Sequence, residues 1–142
     1  MSEGNIGGMN ETLGVVFGVE RADRVEARMP IRYEITQPFG FVHGGATITL
    51  LESVASRGAE LNCDLEKEQP FGVDVHVRHR KSGRAGSVLG VATLDHEEPA
   101  HGRVGGIKQF WNVVAYDDEG DVMSDGVIVC KIVSKERLAA RG

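Results

Sequence analysis

From Ala46 to Asn62 the chain has no proline and places Ile48, Leu51, Val54, Ala55, Gly58 and Leu61 at three- and four-residue spacings. That period predicts an amphipathic helix. Elsewhere the period drops to two. Val73, Val75 and Val77 alternate with Asp74, His76 and Arg78, which predicts a half-buried strand over Phe71 to Arg78 with the valines inward. Val15 to Arg21 and Arg24 to Ile31 read as two strands around an Ala22-Asp23 turn, after a short helix over Asn10 to Leu13. Ser87 to Asp95, with Val88, Leu89, Val91 and Leu94, reads as a strand covered on both faces. Lys108 to Tyr116 and Val122 to Val133 form a hairpin around Asp117-Asp118-Glu119-Gly120. Loops are expected at Cys63 to Pro70, Lys81 to Gly86 and Glu97 to Gly106. A lone amphipathic helix among strands must cover a sheet, so the expected class is α+β, an antiparallel sheet curled around one long helix.

Composition narrows the function classes. At 142 residues the chain is expected to be one domain, 1–142, with residues 1–10 fraying and the core at roughly 13–133. No apolar run approaches the roughly 20 residues of a membrane span, and the Met1-Ser-Glu-Gly start lacks the basic and apolar parts of a signal peptide. A cytoplasmic protein with no membrane partner is expected. The net charge of −5 argues against nucleic acid as a partner. Cys63 and Cys130 fit no metal-ligand spacing, so both are read as reduced thiols, and no metal site is expected.

The chemistry concentrates in Gln37-Pro-Phe-Gly-Phe-Val-His43-Gly44-Gly45 and the helix after it. Paired glycines at a loop-to-helix junction let a ligand approach the backbone, and the first helical amides lack intrahelical acceptors. Gly44 and Gly45 are therefore candidate donors to a developing negative charge. Glu52 lies off the apolar stripe, on a weakly apolar face with Thr49, Ser56 and Ala59. His43 reads as a residue that caps or braces the helix start. Ser56 reads equally as a functional contact or as a small packing residue. Trp111 and Phe110 read as core or interface residues. The basic run around Arg78, Arg80, Lys81 and Arg84 is either a solvated strand end or a phosphate-binding rim.

The order Gln37-Pro-Phe-Gly-x-x-His43-Gly44-Gly45, with Glu52 nine residues after the histidine and Ser56 four further on, resembles the hotdog-fold thioesterases of the Arthrobacter 4-hydroxybenzoyl-CoA and phenylacetate-pathway type. The resemblance covers roughly Leu13 to Val133. It implies a hotdog fold and hydrolysis of an acyl-CoA, aryl or medium-chain, to free acid and CoA, with CoA as part of the substrate and no separate cofactor. It makes Glu52 the nucleophile or general base, Gly44 the backbone donor to the thioester carbonyl and Gln37 a second polar group there. It also gives His43 the orienting of the loop and Ser56 a hydroxyl-bearing position. Gly45, His79 and the basic residues Arg78, Arg80, Lys81 and Arg84 become substrate-binding candidates. It further implies a homodimer or homotetramer with sites at the dimer interface. Two other readings stay open: a non-catalytic acyl-CoA-binding module, and a hydratase or dehydratase on the same fold.

Overall fold

The computed structural model describes residues 5–141. Along them run α1 (Gly8–Leu13), β1 (Val16–Arg21), β2 (Arg24–Pro30), a 3-10 turn (Tyr33–Ile35), α2 (Gly44–Leu61), β3 (Glu68–His79), β4 (Ser87–Pro99), β5 (Ile107–Tyr116), β6 (Val122–Ser134) and α3 (Lys135–Arg141). The six strands form one antiparallel sheet in the order β1-β2-β4-β5-β6-β3. α2 touches all six of them. This is the hotdog architecture expected from the sequence, with the long helix inside the curl of the sheet.

The buried face of α2 carries Ala46, Thr47, Leu50, Leu51, Val54, Ala55, Gly58 and Ala59. It is rotated slightly from the predicted stripe. Ile48 is only half-buried, whereas Ala59, assigned by spacing to the face of Glu52, lies in the core. At Gly58 this face leaves no space beside the helix. Trp111, fully buried on β5, packs so closely that a Cβ at Gly58 would overlap its indole ring. Its Nε1–H donates to Gln109 Oε1 at 3.2 Å, so the ring's polar edge is satisfied within the core.

Several boundaries differ from the sequence pattern. α1 starts two residues early, and Asn10, within the segment expected to fray, is tied on both sides. Its Nδ2 donates to the Ile6 carbonyl at 2.7 Å, and its Oδ1 accepts from Ser53 Oγ on α2 at 2.7 Å. Residues 1–4 of that segment lie outside the described residues. β3 begins at Glu68 and β4 runs on to Pro99, because pairing with the long β6 and β5 carries both strands into stretches whose polar residues read as loop. α3 was not anticipated. Its run Lys135-Glu-Arg-Leu-Ala-Ala-Arg is made of good helix formers, and that was the available signal.

The largest departure is β3. Its valines are expected inward, and Val77 does pack half-buried against the core, but Val73 is 49% and Val75 38% exposed, with Phe71 beside them at 46%. Among the described residues β3 is the last strand of the sheet and pairs only with β6. A bulge at Val73, between the pairs Gly72–Cys130 and Asp74–Val129, also breaks the alternation. An edge strand of 12 residues that exposes Phe71, Val73 and Val75 therefore faces outward, the kind of edge that pairs with another chain unless it is blunted.

Candidate active site

The start of α2 is built by its N-cap. His43 has extended backbone, and its Nδ1 accepts the Gly45 N–H at 2.9 Å, the capping bond that satisfies one orphan amide of the first turn. That removes Gly45 from the candidate oxyanion donors. The Ala46 and Thr47 amides turn back to the His43 carbonyl. The Gly44 N–H, by contrast, has no acceptor among the described residues.

Gln37 stands at the mouth of the same turn. Its Oε1 accepts the Phe39 N–H at 2.5 Å, which leaves both protons of its Nε2 to donate outward. Across from them, His79 at the end of β3 lays its ring against Gly44, with Nε2 2.7 Å from where a Cβ would stand. The absence of a side chain at Gly44 is what admits the imidazole. Gln37, Gly44 and His79 together line a cavity of about 180 Å³, with Thr47, Lys81 and Ser124 among its other walls. Donors converging on one small space suit an oxygen that gains negative charge.

Glu52 occupies a different place. It is half-buried on α2, and among the described residues its carboxylate has no hydrogen-bond or ion-pair partner. Its Oε2 lies 2.5 Å from the position a Cβ would take at Gly72, so the glycine before the β3 bulge is the notch that receives the acid. Glu52 and Ser56 open onto a groove of about 760 Å³ that runs along α2 under residues Asn5 to Asn10 and reaches Arg57 and Glu60. Arg57 ends it in an ion cluster, with its Nε 2.7 Å from Glu20 and its Nη1 3.1 Å from Glu60. On the β3 side of Ser56 lies a smaller space of about 220 Å³, lined by Leu65, Pro70, Phe71 and Cys130.

One chain does not bring Gly44 and Glu52 together. Eight residues of helix separate them by about 12 Å. Gly44 meets His79 while Glu52 meets Gly72, seven residues and roughly 20 Å away along β3. Within one chain the first amide of α2 and its acid therefore open onto different spaces.

The basic run also divides. Arg80 Nε pairs with Asp125 at 2.8 Å. Lys81 Nζ sits between Asp117 at 2.6 Å and Asp121 at 2.7 Å, and hydrogen bonding to those carboxylates, Asp117 foremost, holds its pKa well above the usual lysine range. Arg84 stacks over the Phe41 ring at 4.2 Å. Arg78 and Arg84 have no carboxylate partner among the described residues. His76, on the exposed side of β3, lies 3.2 Å from Asp74 and away from both halves of the site.

A family model described as Thioesterase superfamily matches residues 39–124, from Phe39 through α2 and on to Ser124. The chain belongs to that superfamily. A 1,4-dihydroxy-2-naphthoyl-CoA hydrolase of Escherichia coli is 34% identical over 120 residues, covering 84% of this chain and 80% of that protein. The proofreading thioesterase EntH of Cronobacter sakazakii is 33% identical over 116 residues, covering 82% and 79%. Among solved structures, a variant of thioesterase PA1618 from Pseudomonas aeruginosa superposes with a TM-score of 0.80 at 26% identity, covering 92% of this chain and 88% of that one. The protein is a hotdog thioesterase, an enzyme of thioester hydrolysis. No helix among its described residues is long and apolar enough to cross a membrane.

One residue near the thioesterase's carboxylate carried no signal in the sequence. Cys130 on β6 is fully buried opposite Gly72. Burial pushes its thiol up to about 11; the Ser56 hydroxyl offsets part of this, and the Glu52 charge adds to it. A raised thiol pKa stabilises the fold below the ordinary cysteine range, and that contribution is lost as the pH rises towards 11. Alkylation of the folded protein should therefore spare Cys130 at neutral pH and reach it only in strongly alkaline buffer, as peptide mapping after iodoacetamide treatment would show. Rapid labelling at pH 7 would contradict the burial.

Proposed function

We propose that the protein hydrolyses acyl-CoA thioesters at a site shared by two copies of the chain. In this reading Gly44 N–H and Gln37 Nε2 of one subunit hold the thioester carbonyl, and Glu52 of the partner subunit supplies the carboxylate. The observation that carries it is the separation of the two halves within one chain, together with the unpaired apolar edge of β3 that runs between them. If β3 pairs antiparallel with its own copy about a two-fold axis between Val75 and His76, Gly72 stands opposite the partner's His79. The two-fold thus brings each Glu52 towards the other subunit's Gly44, and the same pairing covers Phe71, Val73 and Val75. Two such dimers would give the tetramer that the resemblance implies.

The chemistry then follows from the groups present. As the carbonyl carbon is attacked, charge grows on its oxygen, where the amide and amide side chain already point. Glu52 either attacks the carbon itself or takes the proton of the attacking water, and both routes need a carboxylate facing the carbonyl. On the first route CoA leaves as thiolate from a glutamyl anhydride that water then hydrolyses, that water's protons going to the product acid and the thiolate; on the second, Glu52 passes the proton taken from water to the departing sulfur. Arg78 and Arg84 are the cations left to meet the CoA phosphates. The groove from Glu52 to Glu60 spans two helical turns, about 12 Å, which suits an aryl or medium-chain acyl group. Its lining sets three carboxylates, Glu20, Glu52 and Glu60, against one guanidinium, Arg57, so an anionic acyl group is disfavoured.

A panel of acyl-CoAs assayed with a thiol-reactive dye tests the reading. Aryl and medium-chain esters should release thiol fastest, with succinyl-CoA at least about tenfold slower, the factor that some 1.4 kcal/mol of charge repulsion gives. No thiol release from any ester would remove the proposal. Loss of enoyl absorbance without thiol release would favour the hydratase.

A further inference from the structure

His79 reaches the carbonyl-binding cavity, and its ring is held by another wall of that cavity. On β6, the Cα partner of His79 is Ser124, and the serine Oγ lies 2.7 Å from His79 Nδ1. Ser124 is 2% exposed, one of the few buried polar residues among those described. Among the described residues, Nδ1 is the only partner of its hydroxyl. A buried hydroxyl keeps its proton in a hydrogen bond. If Nδ1 carried the ring proton and donated it, the serine O–H would be left with no acceptor. With the serine donating, both groups are satisfied, Nδ1 is the acceptor, and the ring proton sits on Nε2. Nε2 is the atom that faces the Gly44 turn.

We propose that Ser124 is a positioning residue of the thioester site, which holds His79 as the Nε2–H tautomer so that the imidazole and the Gly44 amide donate to the same carbonyl oxygen. The inference rests on the thioesterase reading of that cavity. No bond is made or broken by Ser124 or His79 in this role. The serine hydroxyl fixes the ring, and the ring adds one donor where charge develops. His79 has a second restraint in its strand, since β3 ends there and the next two amides, Arg80 and Lys81, both turn to the Met123 carbonyl beside Ser124.

The test is a ¹⁵N-histidine NMR measurement on the whole protein at neutral pH, joined to the kinetics of three variants. In the wild type, His79 should show an acceptor Nδ1 and a protonated Nε2, and Ser124→Ala should convert it to a tautomer mixture. Ser124→Ala should lower kcat about tenfold with KM within about twofold, the split expected for a donor that acts in the transition state. Ser124→Thr, which keeps the hydroxyl on a strand that tolerates β-branching, should recover most of the rate. In a His79→Ala background, Ser124→Ala should cost nothing more. A wild-type ring protonated on Nδ1 overturns the proposal, and so does a Ser124→Ala loss that is undiminished when His79 is already alanine. The NMR result stands whether or not the acyl-CoA reading does, and that reading fails separately if Glu52→Gln keeps its activity.

Discussion

Glu52→Gln is expected to lower kcat/KM for the best acyl-CoA by more than about 10²-fold, the scale of a lost acid-base or covalent group, or at least about 2.7 kcal/mol of transition-state stabilisation. Glutamine keeps the shape that fits the notch at Gly72 and has no hydrogen-bond partner to lose, since Glu52 has none among the described residues. The melting temperature should therefore stay close to that of the wild type while thiol release collapses. An amide neither attacks a carbonyl usefully nor takes a proton from water, so the two chemical routes predict the same loss. Turnover within a few-fold of the wild type would mean that the acid is a bystander. Gly72→Ala attacks the same atom from the opposite wall, because its methyl would press on Oε2.

Gly44→Pro is expected to cost about 10²- to 10³-fold in kcat, the effect of removing one oxyanion donor. Proline is suited to this position. Gly44 is the first residue of α2, where a fixed φ is tolerated and no intrahelical bond is lost. His43 before it, at φ −66 and ψ 128, already has the extended backbone that a following proline requires. The helix should survive while the N–H disappears. Any Cβ here also crowds the His79 ring, so Gly44→Ala, which keeps the N–H, is the matched control. The ratio between the two variants measures the donor itself. Equal rates for proline and alanine would assign the loss to crowding.

The helix and the hairpin were legible because each is set by local pattern: an apolar period for α2, and Asp117 to Gly120 between two β-rich runs for β5 and β6. The orientation of β3 was not legible. Val73, Val75 and Val77 alternate as they would in a half-buried strand, and the sequence carries no mark that the strand is an edge whose apolar side awaits another chain. The site was legible by residue type and order but not by distance. Gln37, His43, Gly44 and Glu52 stand out along the chain, yet that Gly44 and Glu52 face different spaces depends on helix rise and on where β3 crosses. His43 reads as a cap from its place at the helix start, and its Nδ1 accepts the Gly45 N–H there, whereas the Ser124 bond to His79 is a side-chain geometry that no spacing encodes. Nor does the run Arg78 to Arg84 disclose that Arg80 and Lys81 are already paired with Asp125, Asp117 and Asp121.

The shared site is tested most directly by mixing two inactive variants, Glu52→Gln and Gly44→Pro, through partial unfolding and reassembly. Each mixed dimer would carry one site with both defects and one with neither, so an equal mixture should recover about a quarter of the wild-type activity, since half the dimers are mixed and half their sites are intact. Activity that stays at the mean of the two parents, in a sample shown to contain mixed dimers, would contradict a site built from Gly44 of one subunit and Glu52 of the other.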